Sequence, residues 1–258
     1  MPATDYRGSA VSGATPRALE LYERALASLW LQRGSALELA REAAREAPAF
    51  VAAQLLVAAL LASSRDVRQF RLAGAALAPV RRQVRNAREA AHEAAIASAI
   101  AGDYAASLGQ YEAILREDPR DVVALHVSAV MDYYLGAPQA TRDRVGRAIR
   151  HWTPDLPGFH AALSMHAFAL EECGEYGAAH EVAARALAIE PLDLRAHHAI
   201  AHVLEMQGQG AEGIRWMGSR STLWDGAGAA STHLWWHLAL YQQQLGRPDL
   251  ALMVYDRR

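Results

Sequence analysis

Three side chains able to share one ligand stand close together in this chain: His198, His202 and Glu205. On a helix they fall at i, i+4 and i+7 and so lie along one face. His233 and His237 repeat the i, i+4 spacing within His233-Leu234-Trp235-Trp236-His237, and Glu171-Glu172 precede both groups. Two histidines at this spacing beside a carboxylate form a ligand pattern used for zinc and non-haem iron. A divalent metal held by His198, His202, Glu205 and His237 is therefore one reading. A second is a metal-free pocket in which a histidine acts as general acid or base beside Glu205 or Glu171, with Trp235 or Trp236 as an apolar wall. A third is structural: buried polar groups need partners whatever their function, and His and Glu can satisfy one another. The residues leave all three open. A His-Glu-x-x-His metalloprotease motif is absent, as is a Gly-x-Ser-x-Gly elbow. Gly208-Gln209-Gly210 lacks the lysine of a phosphate-binding loop.

The elements that must position these residues are marked by a ladder of glycines: Gly102, Gly136, Gly174, Gly208 and Gly246, spaced by 34, 38, 34 and 38 residues. A period in the thirties in a chain with helical patterning signals stacked helix–turn–helix units, each burying its apolar face against its neighbours. The unit from Ala162 to Pro191 is the clearest. Its first helix carries Phe168, Ala169 and Leu170 and ends at Gly174; its second carries Ala179, Ala183, Ala186 and Leu187 and stops at Pro191. Glycine tolerates the positive φ of the turn, and proline cannot continue the helix. This unit resembles the tetratricopeptide repeat, with an aromatic, Tyr176, following the turn glycine. Gly102-Asp103-Tyr104 with Pro119 repeats it. Helix patterns at about 16–32, 35–47, 49–62 and 66–78 add two pairs, with Gly34 and Ser63-Ser64-Arg65-Asp66 as turns.

The expected fold is all-α, a right-handed solenoid of about seven tetratricopeptide-like antiparallel helix pairs. Residues 1–15 are expected to be a loose segment, residues 16–258 a single repeat domain, and Gly218 to Ala230, with Gly226, its longest loop in the second half. Leu250 to Asp256 begins a second helix with no unit after it. Because a solenoid end needs a polar cap, this predicts a missing C-terminal continuation, a partner surface or a homodimer contact there.

Used as a ruler, the ladder puts Glu171 and Glu205 at one register, three residues before their glycines. The repeat resemblance places that register on the concave groove, with His202 beside it. His92, His126 and His198 share another register, ten residues before Gly102, Gly136 and Gly208, and are expected to form a row along one wall. Of the adjacent tryptophans, about 100° apart on a helix, one is expected in the core and the other at the groove or the solenoid's end.

Composition narrows the partners. A net charge of −2 argues against nucleic-acid binding. All 26 basic residues are arginine, which points to GC-rich bacterial coding. A single cysteine, Cys173, fits a reducing cytoplasm. The most apolar run, Phe50 to Ala62, is too short to span a bilayer, and the start lacks the apolar core of a signal peptide. A cytoplasmic protein without a membrane partner is expected.

Three stretches make the resemblance narrower: Phe168-Ala169-Leu170-Glu171-Glu172, His198 to Gly208, and Trp235-Trp236-His237-Leu238-Ala239-Leu240-Tyr241. In this order they resemble the tetratricopeptide repeat protein 38 family across about residues 95–258, and Asp155-Leu156-Pro157-Gly158 fits as well. The resemblance implies that His198, His202, Glu205, His233 and His237 are the characteristic polar positions, and it assigns no reaction. The expected function is binding of a peptide, protein or small ligand in the groove at Glu171, His198, His202, Glu205, His233, Trp236 and His237. The alternative is an enzyme, with or without a divalent metal cofactor, acting on a small polar metabolite there.

Overall fold

Each rung of the glycine ladder is the end of a helix. In the computed structural model, which describes residues 3–224 and 228–257, all five ladder glycines have positive φ, between 66° and 80°. The residue after each closes the same loop, its N–H donating five residues back: Asp103 to Ser98, Ala137 to Asp132, Glu175 to Leu170, Gln209 to Leu204 and Arg247 to Gln242, at 2.8–2.9 Å. That bond satisfies a carbonyl the helix would otherwise leave open, and it needs a residue free to adopt the left-handed region.

The chain opens with α1 (Pro16–Leu31) and α2 (Ala36–Glu46), and from there the helices run in packed pairs, the first being α3 (Val51–Ala62) with the short α4 (Val67–Phe70) and α5 (Ala73–Leu77). A 3₁₀ turn at Val80–Arg82 leads to α6 (Ala87–Ile100) with α7 (Tyr104–Glu117), and α8 (Val122–Tyr134) with α9 (Pro138–Ile149). Then come α10 (Phe159–Glu172) with α11 (Tyr176–Ile189), α12 (Leu194–Met206) with α13 (Gly210–Gly218), the short α14 (Ser221–Trp224), and α15 (Ala229–Gln244) with α16 (Pro248–Arg257). The six packed pairs from α3 onward, with α1 and α2 before them, make the fold an all-α, tetratricopeptide-like helical repeat. Helix starts are set by side-chain caps: Asp103, Asp121 and Asp193 each accept from the backbone N–H three residues on. Alanines let paired helices approach closely. Ala179, Ala183 and Ala186 are fully buried, and Leu170, Val203 and Tyr176 pack around Ala179. Among the described residues no helix is long and apolar enough to cross a membrane.

Two features of the chain's organisation carry no signal in the hydrophobic pattern. Residues 3–15 are hydrogen-bonded and packed rather than loose. Ala3–Thr4 pairs antiparallel with Ala10–Val11, and the buried Arg7 between them forks onto Glu23 of α1 at 2.8 and 2.9 Å. Ser12 donates through both its N–H and its hydroxyl to the Glu89 carboxylate. A charge-based anchor carries no hydrophobic period, so pattern reading cannot see it. By its internal contacts the chain divides into two compact units, Met1–Leu29 with Ser35–Gly158, and Trp30–Gly34 with Phe159–Arg258. Of the loop expected over Gly218 to Ala230, Ser221–Trp224 is helical, and 225–227, which include Gly226, lie outside the described residues.

Candidate metal centre

Within the second unit α12 lies against both α10 and α15, so first helices of successive pairs are neighbours. The orientation of α12 is set at its start, where Asp193 accepts from the Ala196 N–H at 3.0 Å and from His160 Nδ1 at 2.7 Å. Ala196, Ala199, Ile200 and Val203 then point inward, which leaves His198 and His202 on the half-buried stripe beside them. The position of α15 is set by Tyr241. Its hydroxyl donates to the Ala201 carbonyl at 2.5 Å, and its ring presses on Gly213 of α13, where a Cβ would meet ring atoms at 2.5 Å. His237 and His233 stand one and two turns before Tyr241 on the same face, opposite His198 and His202.

The four imidazoles converge. Ring centroids lie 4.2 Å apart for His198–His202, 4.7 Å for His198–His233 and His202–His237, 4.8 Å for His233–His237 and 5.1 Å for His198–His237. One nitrogen from each lies within 4.8 Å of one from every other. His233 Nε2 sits 2.9 Å from His198 Nε2 and 3.2 Å from His237 Nε2. Tetrahedral coordination at about 2.0–2.1 Å separates ligand nitrogens by about 3.3 Å, close to these contacts. His237 is buried, His198 and His202 are half-buried, and His233 is exposed. Phe168 of α10 stacks on His198 at 5.4 Å and meets the edge of His202 at 5.7 Å.

Outer carboxylates fix two of the tautomers. His202 Nδ1 lies 3.0 Å from Glu171 Oε2, and His237 Nδ1 lies 2.7 Å from Glu205 Oε2. A carboxylate only accepts, so each Nδ1 carries a hydrogen, and a neutral ring then has its lone pair on Nε2. This carboxylate–histidine pairing is the usual support behind metal-bound imidazoles. Burial, then the neighbouring histidines, holds His198 well below the ordinary imidazole range and lowers His237 to about 3. Burial pushes the Glu205 carboxyl up, against the pull of His202 and His233. His233 Nε2 can donate to His237 or accept from His198, but cannot do both. A cation taking all four lone pairs removes that conflict.

The structure brings Glu171, His198, His202, Glu205, His233 and His237 together, with His202 and His237 well inside the reach of a shared ligand. The converging set differs from the expected one in membership: His233 lies in it, and Glu205 stands behind His237 as its hydrogen-bond partner. Glu171, Glu172 and His202 also bring donor atoms within 4.8 Å of one another. Trp236 is exposed, whereas Trp235 packs edge-on against Trp224 at 5.7 Å. The expected histidine row does not form the site. His92 binds the helix-capping Asp121 at 2.6 Å, and both His92 and His126 are buried in the first unit. Phe168, which reads in the sequence as repeat packing, is a wall of the cluster; only its register against α12 could have shown this.

No family model matches the chain. Among solved structures it is similar to the crystal structure of MamA protein, at 16% identity over 66% of this chain and 88% of that one, with a TM-score of 0.51. A second MamA crystal structure is 17% identical over 63% and 90%, with a TM-score of 0.49. The TPR domain of P58(IPK) is 14% identical over 93% and 73%, with a TM-score of 0.32. At these identities the first likeness speaks to the fold alone.

Proposed function

We propose that this chain is a tetratricopeptide-like repeat protein that holds a late first-row divalent metal ion, zinc foremost, among His198, His202, His233 and His237. The carrying observation is the convergence of four imidazole nitrogens within 4.8 Å, contributed by two i, i+4 pairs on neighbouring helices. Imidazole ligands without water or carbonyl oxygens suit zinc, copper or nickel and disfavour calcium and magnesium. Four protein ligands close a tetrahedral shell, which is the arrangement of binding and structural sites; catalytic sites keep a position open. The reading is therefore a binding protein in preference to a metalloenzyme. The metal joins α12 to α15 and stands as an anchor on the face where a peptide or small ligand would lie. Kinship with the tetratricopeptide repeat protein 38 family is part of the same proposal, resting on the polar positions shared with it.

The test is elemental analysis of the purified full chain, followed by zinc titration of chelator-treated protein in a calorimeter. One equivalent is expected. His202→Ala and His237→Ala should abolish tight binding, and Glu205→Gln should weaken it about 10–100-fold while keeping the stoichiometry. A chain that purifies without metal, takes up none, and melts at the same temperature with and without zinc would overturn the proposal.

A further inference from the structure

Apart from the histidine cluster, the second unit carries a cavity of about 250 Å³ where α11, the start of α12, α13 and α14 meet. Most of its wall is hydrocarbon, from Ala184, Leu187, Ala188, Pro191 and Leu223, and His197, Trp216 and Arg220 complete it. His197 is a fixed part of that wall: it is buried, and its Nε2 donates to the Pro191 carbonyl at 2.9 Å. Ala184 and Ala188 are exposed, which puts the mouth on the α11 side.

Arg220 is the one arginine of this lining. Its Cζ sits over the Trp216 ring, 3.5 Å from the centroid, and its Nη1 donates to the Trp216 carbonyl at 3.2 Å and the Ser219 hydroxyl at 2.9 Å. These contacts engage Nη1 and leave the Nε–Nη2 edge without an acceptor among the described residues. No carboxylate pairs with it there, in contrast to Arg88 on Asp121 and Arg144 on Asp132. The Trp216 Nε1–H is also buried and without a partner among the described residues. An arginine without a task samples many rotamers; this one is pinned on three contacts and keeps its fork unspent.

We infer that this cavity binds a small carboxylate with an apolar body, its carboxylate taken by the Nε–Nη2 edge of Arg220 and its hydrocarbon by Leu187, Pro191 and Leu223. The parallel N–H bonds of that edge match the two oxygens of one carboxylate. Because the guanidinium is held before the ligand arrives, little ordering remains to be done on binding. The volume falls below the about 300–1,000 Å³ of drug-sized sites, which limits the body to one ring or a short branched chain. An inorganic anion would leave the hydrocarbon wall wet, and a neutral hydrocarbon would leave the guanidinium edge unpaired. The site uses none of the four cluster histidines and stands whether or not they hold a metal.

The test is calorimetric titration of the full chain with benzoate and with isovalerate at constant ionic strength. Acetate, a carboxylate without the body, and benzyl alcohol, a ring without the charge, are the controls. At least one of the first two should bind saturably at one per chain. Both controls should bind at least about tenfold more weakly, the loss expected when buried hydrocarbon or a charged hydrogen bond is removed. Arg220→Gln should weaken binding by a similar factor, and Arg220→Lys, a point charge without the fork, should recover only part of it. Ala188→Trp sets a ring at the exposed mouth, alters no polar contact and should block binding. Arg220 is half-buried and Ala188 exposed, so all three variants should melt close to wild type. No saturable binding of benzoate or isovalerate by wild type overturns the proposal, as does equal affinity in wild type and Arg220→Gln. Binding that survives Ala188→Trp, or acetate bound as tightly as benzoate and isovalerate, would put the carboxylate outside the cavity and overturn it as well.

Discussion

His237 shows how strongly its position constrains one imidazole. Its pKa falls to about 3 because burial, then His202 and His233, disfavour the charged ring. In the unfolded chain the same ring titrates near about 6.5. Between these values the unfolded state binds a proton that the folded state refuses, so folding stability of the metal-free protein must fall as pH drops from about 6.5 toward about 3. His198 acts in the same direction. Glu205 and Glu172, both raised by burial, act oppositely at lower pH, so the clearest part of the profile lies at about pH 5.5–7. Melting temperatures of metal-free wild type should decline on acidification through that range, and His237→Gln should flatten the decline. A melting temperature that rose on acidification would contradict the environment described for these rings. The sequence makes the histidines themselves legible, because i, i+4 spacing fixes a shared face. It does not reveal which atom each ring turns inward. Glu205 therefore reads as a ligand until the position of α15, set by Tyr241 on Ala201, brings His233 against His198 and leaves Glu205 behind His237.

The helices were the most legible elements, since every ladder glycine has a physical reason to be glycine. Other glycines separate packing from turn geometry. At Gly213 an added methyl would collide with the Tyr241 ring, which is buried and tied through its hydroxyl to Ala201. Gly213→Ala should destabilise by about 1–3 kcal/mol through overpacking and weaken zinc binding without touching a ligand, because α15 is displaced. Gly177, in the first turn of α11 with open space around its Cβ direction, is the control. Gly177→Ala should stabilise by about 0.4–1 kcal/mol through lost unfolded-state entropy and leave zinc affinity unchanged. Urea unfolding and zinc titration of both variants check the pair; equal effects would refute the stated role of Gly213. The N-terminal hairpin was not legible, because Arg7 anchors it by charge in a segment without apolar period. Removing that arginine leaves Glu23 and Asp5 buried beside an empty place. Arg7→Ala is therefore expected to cost about 3–5 kcal/mol in urea unfolding, well above an ordinary surface truncation.

Two compact units in one chain give metal binding a localised consequence. All four histidines of the cluster, with Glu171 and Glu205, belong to the unit formed by Trp30–Gly34 and Phe159–Arg258. A ligand that binds only the folded form stabilises what it binds by RT ln(1 + [L]/Kd), about 2.7 kcal/mol at a hundredfold excess over Kd. On the proposed metal reading the ion would link α12 to α15 directly, and α13 and α16 pack on α15. Zinc should therefore slow hydrogen exchange over residues 194–218 and 229–257 first. In the other unit, hairpin, caps and buried ion pairs are complete without metal: Arg7 on Glu23, Arg88 on Asp121, Arg144 on Asp132. Exchange over α6 to α9 should be unchanged on zinc addition, measured by mass spectrometry on metal-free and zinc-loaded chain in one buffer. Protection confined to α12–α16 would fit a metal that clamps two repeats together. Equal protection spread over α6 to α9 would mean that the chain responds as one cooperative body, and the clamp would then be too local a description of the ion's effect.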